Sequence, residues 1–266
     1  MPFKSITEFA KAKQESRPVS MVTCYDYTMA RLVAQSAVDC ILVGDSAGMV
    51  MAGYGSTVPV TLDEIIYHAK SVRRGAPDAF MVVDLPFLSY HTGPDEAVKN
   101  AGRIMKETGA NAVKLEGGED FCDEIWALVR ASIPVMGHLG FTPQSVNVFG
   151  GNKVQGRGEA ESEKMITDAK EVEAAGAFSL VLEMVPGSLA SDITKALSIP
   201  TIGIGAGASC DGQVLVISDL LGMNESFNPK FLKKYADLSS IILGSLEAYD
   251  REVKERIFPA EANTFK

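Results

Sequence analysis

Four short apolar runs in this chain each end in a carboxylate: Cys40-Ile-Leu-Val-Gly-Asp45, Phe80-Met-Val-Val-Asp84, Ala112-Val-Lys-Leu-Glu116 and Ser179-Leu-Val-Leu-Glu183. Runs this short, bounded by glycine or proline, read as strands buried on both faces. Strands of that kind build parallel sheets and barrels, whose chemistry gathers at the carboxyl ends. In the first run Gly44 lets the backbone come close to a ligand, and Asp45 and Ser46 then stand at the strand's end. Four strands delivering acids at the same end point to one shared site.

The rest of the chain alternates accordingly. Beyond those four, strands are expected at residues 19–25, 134–137, 200–204 and 213–217. Ser5 caps a short first helix to residue 14, placed to cover the closed bottom of a barrel. Further helices are expected at residues 27–38 and, after the capping box Thr61-Leu-Asp-Glu64, to residue 74. Another follows Gly93-Pro94 and is ended by Gly109. The remainder cover residues 119–131, 159–175 and, capped by Ser188, up to 197, with an amphipathic tail over 229–257. Residues 47–59 read as a glycine-rich loop and residues 141–158 as a mobile lid. Eight strands alternating with helices, without an internal boundary, predict an α/β fold: a single (β/α)8 TIM barrel domain over residues 1–266. An open doubly wound sheet is the alternative, because alternation alone does not show closure.

Composition narrows the function. Acids outnumber bases 34 to 25, a net charge of -9, which argues against nucleic-acid or anionic-membrane partners. Cys24, Cys40, Cys122 and Cys210 are widely spaced and form no C-x-x-C pair, so they read as reduced thiols. No signal-like apolar segment opens the sequence, and no run approaches the ~18 residues of a membrane span. A cytoplasmic location is expected.

A barrel brings Asp45, Asp84, Glu116 and Glu183 to one mouth, with Ser46, Lys114 and His138. Carboxylates that close raise one another's pKa, and a divalent cation relieves the repulsion. Acids without cysteine favour a hard ion, Mg2+ before Mn2+. Lys114 lies two residues before Glu116, so both side chains share the inner face of their strand. Each residue also has a structural reading: strand-end acids cap helices, and Lys114 makes an ion pair. His138 reads equally as a structural histidine or a substrate contact. The run Gly203-Ile-Gly-Ala-Gly207 lacks dinucleotide-loop spacing. His68 and Tyr67 fall inside a helix.

Six motifs then follow in order: V-G-D-S at 43–46, V-V-D-L-P-F at 82–87, V-K-L-E-G-G at 113–118, G-H-L-G-F-T-P at 137–143, L-V-L-E-M-V-P at 180–186 and I-G-I-G-A-G at 202–207. Together they closely resemble the ketopantoate hydroxymethyltransferase family over nearly the whole chain. The resemblance implies one Mg2+ per subunit, held by Asp45, Asp84 and Glu116 directly or through water. It implies that Asp45, Ser46, Asp84 and Lys114 contact a 2-oxo acid; the substrate-contact reading of His138 rests on its strand-end position alone. It implies Glu183 as general base, forming a metal-stabilised enolate of 3-methyl-2-oxobutanoate. That enolate takes the one-carbon unit of 5,10-methylenetetrahydrofolate, giving 2-dehydropantoate for pantothenate and coenzyme A synthesis. A homodecamer is implied as well. The nearest rival is a Mg2+-dependent C–C lyase of 2-oxo acids resembling isocitrate lyase or phosphoenolpyruvate mutase. A nucleophilic loop cysteine would favour it, and the cysteines here sit elsewhere. A noncatalytic metabolite-binding barrel is the rival of another class, against which the full set of acids, lysine and base argues.

Overall fold

The computed structural model describes residues 3–265. Eight strands close into a barrel: β1 (Val19–Thr23), β2 (Cys40–Val43), β3 (Phe80–Asp84), β4 (Ala112–Lys114), β5 (Val135–Gly140), β6 (Ser179–Glu183), β7 (Thr201–Ile204) and β8 (Gly212–Leu215). Each pairs in parallel with the next, and β8 returns to β1, with Val19 opposite Gly212. That pairing decides between a barrel and an open sheet in favour of the barrel.

The chain divides into two units, the first ending at Val216 and the second starting at Ile217. The first holds the whole barrel and helices α1 (Ile6–Gln14), α2 (Tyr27–Val33), α3 (Ala47–Val50), α4 (Leu62–Gly75), α5 (Pro94–Thr108), α6 (Cys122–Arg130), α7 (Val146–Phe149), α8 (Glu159–Ala174) and α9 (Gly187–Ala196). The second holds α10 (Ile217–Leu220) and α11 (Leu238–Lys254). Among the described residues no helix is long and apolar enough to cross a membrane.

Local chemistry sets the helix ends. At α4 the Glu64 amide donates to Thr61 Oγ1 at 3.3 Å, and Glu64 Oε2 accepts from the Thr61 amide at 2.7 Å, the reciprocal box expected there. Gly109, at φ +69°, ends α5 in the left-handed conformation. Elsewhere the ends move. Helix α2 stops at Val33 rather than 38, because the Ser36 hydroxyl donates to Val33 O (2.7 Å) and accepts from the Val38 amide (3.2 Å). That serine offers the backbone a turn in place of another helical turn. Helix α9 starts at Gly187 after the extended Pro186, so Ser188 lies inside the first turn and is not the cap. The expected loop after β2 contains the one-turn helix α3, and the expected lid starts with a 3-10 turn, Pro143–Ser145, followed by α7. The tail forms one long helix, α11.

The core lies along the barrel axis. Phe3 and Phe9 are fully buried, and Phe9 packs on Phe80 and Phe178 with ring centroids 5.2 and 5.1 Å apart. The first helix therefore closes the amino-terminal end. Above it the inward-facing residues of successive strands run Phe80, Val82, Asp84; Ala112, Lys114; Met136, His138; and Val181, Glu183. The lower members belong to one buried apolar cluster. The upper members are charged. Alternation along each strand thus builds a dry floor beneath a polar mouth.

Candidate active site

Register brings the charges together. Asp84 and Lys114 are direct neighbours across β3 and β4, and Lys114 Nζ lies 3.1 Å from Asp84 Oδ1. Strand β5 runs to Gly140 rather than ending at 137, so His138 sits within it, beside Val181. Its Nδ1 is 3.4 Å from Glu116 Oε1 and its Nε2 is 3.3 Å from Glu183 Oε2. The bend after β2 brings the Asp45 amide to Asp84 Oδ2, at 3.0 Å. That approach depends on Gly44: a Cβ there would stand 2.8 Å from Ser46 Oγ and 3.4 Å from Asp84 Oδ2. Ser46 Oγ shares a 2.8 Å hydrogen bond with the Tyr25 hydroxyl. All seven expected residues line this one mouth. Asp45, Asp84, Lys114, Glu116 and His138 are buried, whereas Ser46 and Glu183 keep some exposure.

Burial makes the charges strongly interdependent. Asp45 is pushed well above the ordinary carboxylate range, first by desolvation and then by Asp84 and Glu116. Asp84 also rises through desolvation, with Lys114 opposing. Desolvation favours the neutral form of Lys114, but the charges of Asp84, Glu116 and Asp45 outweigh it and hold the ammonium charged. Glu116 is likewise penalised by burial, yet His138 and Lys114 hold it below its usual range. In His138, burial and Lys114 pull the imidazole down while Glu116 and Glu183 prevail and push it up to about 9. Lys114 Nζ also reaches His138 Nδ1, at 3.3 Å, so this nitrogen lies between the ammonium and the Glu116 carboxylate.

Three polar atoms in this mouth lack an aligned hydrogen bond despite burial: Asp84 Oδ1, Glu116 Oε1 and His138 Nε2. They belong to three neighbouring strands or their ends. Buried polar atoms in that condition mark a place for a ligand, an ion or ordered water. Asp45, Asp84 and Glu116 offer the oxygen donors that a hard cation prefers. No three histidine, cysteine, aspartate or glutamate side chains among the described residues form a ready cage for a metal.

Two residues absent from the expected set belong to the site's framework. Gln144 is buried and donates to Asp45 and Glu116, and the Tyr90 hydroxyl reaches Gln144 Oε1 at 3.0 Å. Gln144 falls in the stretch read as lid and Tyr90 in a loop after β3, where no periodicity marks inward-facing residues.

Comparison with known proteins adds independent findings. The sequence profile described as ketopantoate hydroxymethyltransferase matches residues 4–261. The chain is 55% identical to a 3-methyl-2-oxobutanoate hydroxymethyltransferase of Clostridium botulinum, over 98% of this chain and 95% of that protein. It is 52% identical to the protein of that name from Leptospira interrogans, over 97% of each. In fold it is similar to 2,3-dimethylmalate lyase, a phosphoenolpyruvate mutase/isocitrate lyase superfamily member, with a TM-score of 0.61 at 14% identity, covering 99% of this chain and 92% of that one. Phosphonopyruvate hydrolase, solved with oxalate and Mg2+, gives 0.63 at 10% identity over the same shares.

Proposed function

The chain belongs to the ketopantoate hydroxymethyltransferase family, and we propose that it moves a hydroxymethyl group from 5,10-methylenetetrahydrofolate to C3 of 3-methyl-2-oxobutanoate. The products are 2-dehydropantoate and tetrahydrofolate, a step of pantothenate and coenzyme A synthesis. The observation that carries the residue roles is the group of three buried polar atoms, Asp84 Oδ1, Glu116 Oε1 and His138 Nε2, held only by ion pairs beside the partly exposed Glu183 carboxylate.

Mg2+ fits the residues present, because it dehydrates reluctantly and binds through one or two carboxylates with water completing the shell. Asp45 and Asp84 would hold it, one ion per subunit, with Glu116 behind them. When bound it supplies Lewis acidity at the 2-oxo oxygen, making the C3 proton easier to remove. Glu183 takes that proton. The C3 carbanion equivalent bonds to the methylene carbon and water supplies its hydroxyl oxygen; the two C–N bonds to the folate break, and the C3 proton and one proton of water end on the two nitrogens of tetrahydrofolate. Lys114 and Ser46 bind the 2-oxo acid with Asp45 and Asp84, and Lys114 offsets their charge. The His138 ring stands 3.3 Å from Glu183 and faces the substrate.

Residues 141–158 act as the lid that keeps water from quenching the enolate. Their Gln155 amide donates to Met184 O at 3.0 Å, next to Glu183. Burial pushes the thiols of Cys24, Cys40, Cys122 and Cys210 upward, so no cysteine is activated for lyase chemistry. Four free thiols suit the cytoplasm.

Proton–deuterium exchange at C3 of 3-methyl-2-oxobutanoate, followed by NMR, tests the scheme. Exchange that requires Mg2+ and becomes hydroxymethyl product once methylenetetrahydrofolate is added is the expected result. Exchange without product would sink the folate assignment. No exchange with the 2-oxo acid bound and the folate present would overturn the enolate chemistry.

A further inference from the structure

One residue ties together the ends of three strands beneath the mouth. Gln144 is 4% exposed and stands in the 3-10 turn at the root of the lid segment. Its Nε2 donates to Asp45 Oδ2 at 2.8 Å, just beyond β2, and to Leu85 O at 3.0 Å, just beyond β3. Its own backbone N–H donates to Glu116 Oε2 at 3.0 Å, beyond β4. Its Oε1 receives the Tyr90 hydroxyl at 3.0 Å. That hydroxyl in turn accepts from the Glu116 amide at 3.1 Å and shares its single proton between Gln144 Oε1 and Glu116 O.

The orientation of the amide is fixed by these neighbours. A backbone carbonyl only accepts, so Leu85 O requires the NH2 end, and the same NH2 meets Asp45. A flipped amide would set an oxygen against a carboxylate and a carbonyl together. The donors are also neutral. A lysine or arginine in this place would cancel the acids' charge, whereas an amide orients the carboxylates and leaves that charge for a cation.

We propose that Gln144, held by Tyr90, is the positioning residue of the metal-binding carboxylates, an inference that rests on Asp45, Asp84 and Glu116 being the ion's binding acids. Gln144 occupies one oxygen each of Asp45 and Glu116 and so fixes how both carboxylates are turned. Glu116 Oε1 is left facing His138 Nδ1 at 3.4 Å, without an aligned hydrogen bond. Partners that orient metal-binding residues in this way commonly carry a large share of the affinity. The arrangement also couples the lid's root to the metal site through one residue.

The test is Mn2+ binding to the full chain by electron paramagnetic resonance, with Tm measured alongside. Gln144→Met keeps the volume and the backbone N–H but removes the amide. Its Mn2+ Kd is expected to rise about tenfold or more. Tyr90→Phe is expected to raise it about threefold, and the double variant to fall short of the product of the two, as for residues acting through one another. A folded Gln144→Met protein whose Kd stays within about twofold of the parent overturns the proposal, whatever its Tm. Should Gln144→Met fail to fold, Tyr90→Phe decides, and a parental Kd there overturns it equally. A parent chain that takes up no Mn2+ removes the metal reading and this inference with it. A parent that binds while the variants bind as well removes this inference alone.

Discussion

His138 Nε2 stands 3.3 Å from Glu183 Oε2, and the same ring reaches Glu116 with its other nitrogen. One imidazole ring therefore links the carboxylate assigned to proton removal with one assigned to the metal site. Glu183→Gln keeps the shape and a polar contact to His138 but leaves nothing to accept the C3 proton. Exchange at C3 is expected to slow by about 10²- to 10⁴-fold, the usual contribution of a general base. Affinity for 3-methyl-2-oxobutanoate, measured by calorimetry, should stay near the parent's. Parental exchange in this variant would remove Glu183 from the role.

Lys114→Met tests the buried ion pair. Lys114 and Asp84 are almost wholly shielded from water and 3.1 Å apart. Removing one partner leaves Asp84 buried without its counter-charge, and breaking such a pair costs about 3–5 kcal/mol. Urea unfolding of the metal-free protein should show that loss as a lower midpoint. Saturating Mg2+ should recover part of it, because an ion bound only to the folded state stabilises by mass action. A metal-free variant as stable as the parent would show that the pair contributes nothing to folding.

Much of this site is legible in the sequence because strand alternation is local. Apolar residues two apart, followed by an acid in the same column, place Asp84, Glu116 and Glu183 at the mouth before any coordinates exist. Closure is another matter: it depends on β8 meeting β1, a pairing between residues nearly two hundred positions apart. Nor does any local pattern mark Gln144, a polar residue between a proline and a serine in an irregular stretch. Its burial follows from where the turn after β5 lands, and only the assembled barrel supplies that. His138 is intermediate. Its chemistry is readable, but its place two residues deeper in the strand depends on how far β5 continues to pair with β6.

The cysteines give a pH prediction. Burial pushes Cys24 up to about 11, and burial with the neighbouring acids Glu171, Asp168, Glu119 and Asp123 does the same for Cys122. A thiol raised above its ordinary 9.0 favours the neutral form in the folded state. Any stability it contributes is complete below pH 9 and lost as pH rises through about 11. At pH 8 the thiolate fraction of Cys122 is then about a hundredfold below that of a free cysteine. Labelling of the native chain with a disulfide reagent at pH 8 should be slow at Cys122 and slower at the buried Cys24 and Cys40. The urea-unfolded chain should titrate four thiols promptly. Fast native labelling at Cys24 would contradict both its burial and its shift.

Helix α11 carries the prediction about assembly. Ile242, Leu246, Tyr249 and Val253 recur at helical spacing along it, all exposed, and the helix buries none of its residues. A stripe of this kind over several turns marks a surface that another protein covers. The homodecamer that the family resemblance implies would supply that cover with further copies of this chain. Analytical ultracentrifugation of the parent should show one large species. Leu246→Glu puts a charge in the middle of the stripe, and burying it unpaired would be costly, so the assembly should break into smaller species. Leu246 is 60% exposed, so the variant's circular dichroism should be unchanged. A parent that sediments as a monomer would end the decamer proposal. An intact large species in the variant would keep the assembly and move its contacts away from this face.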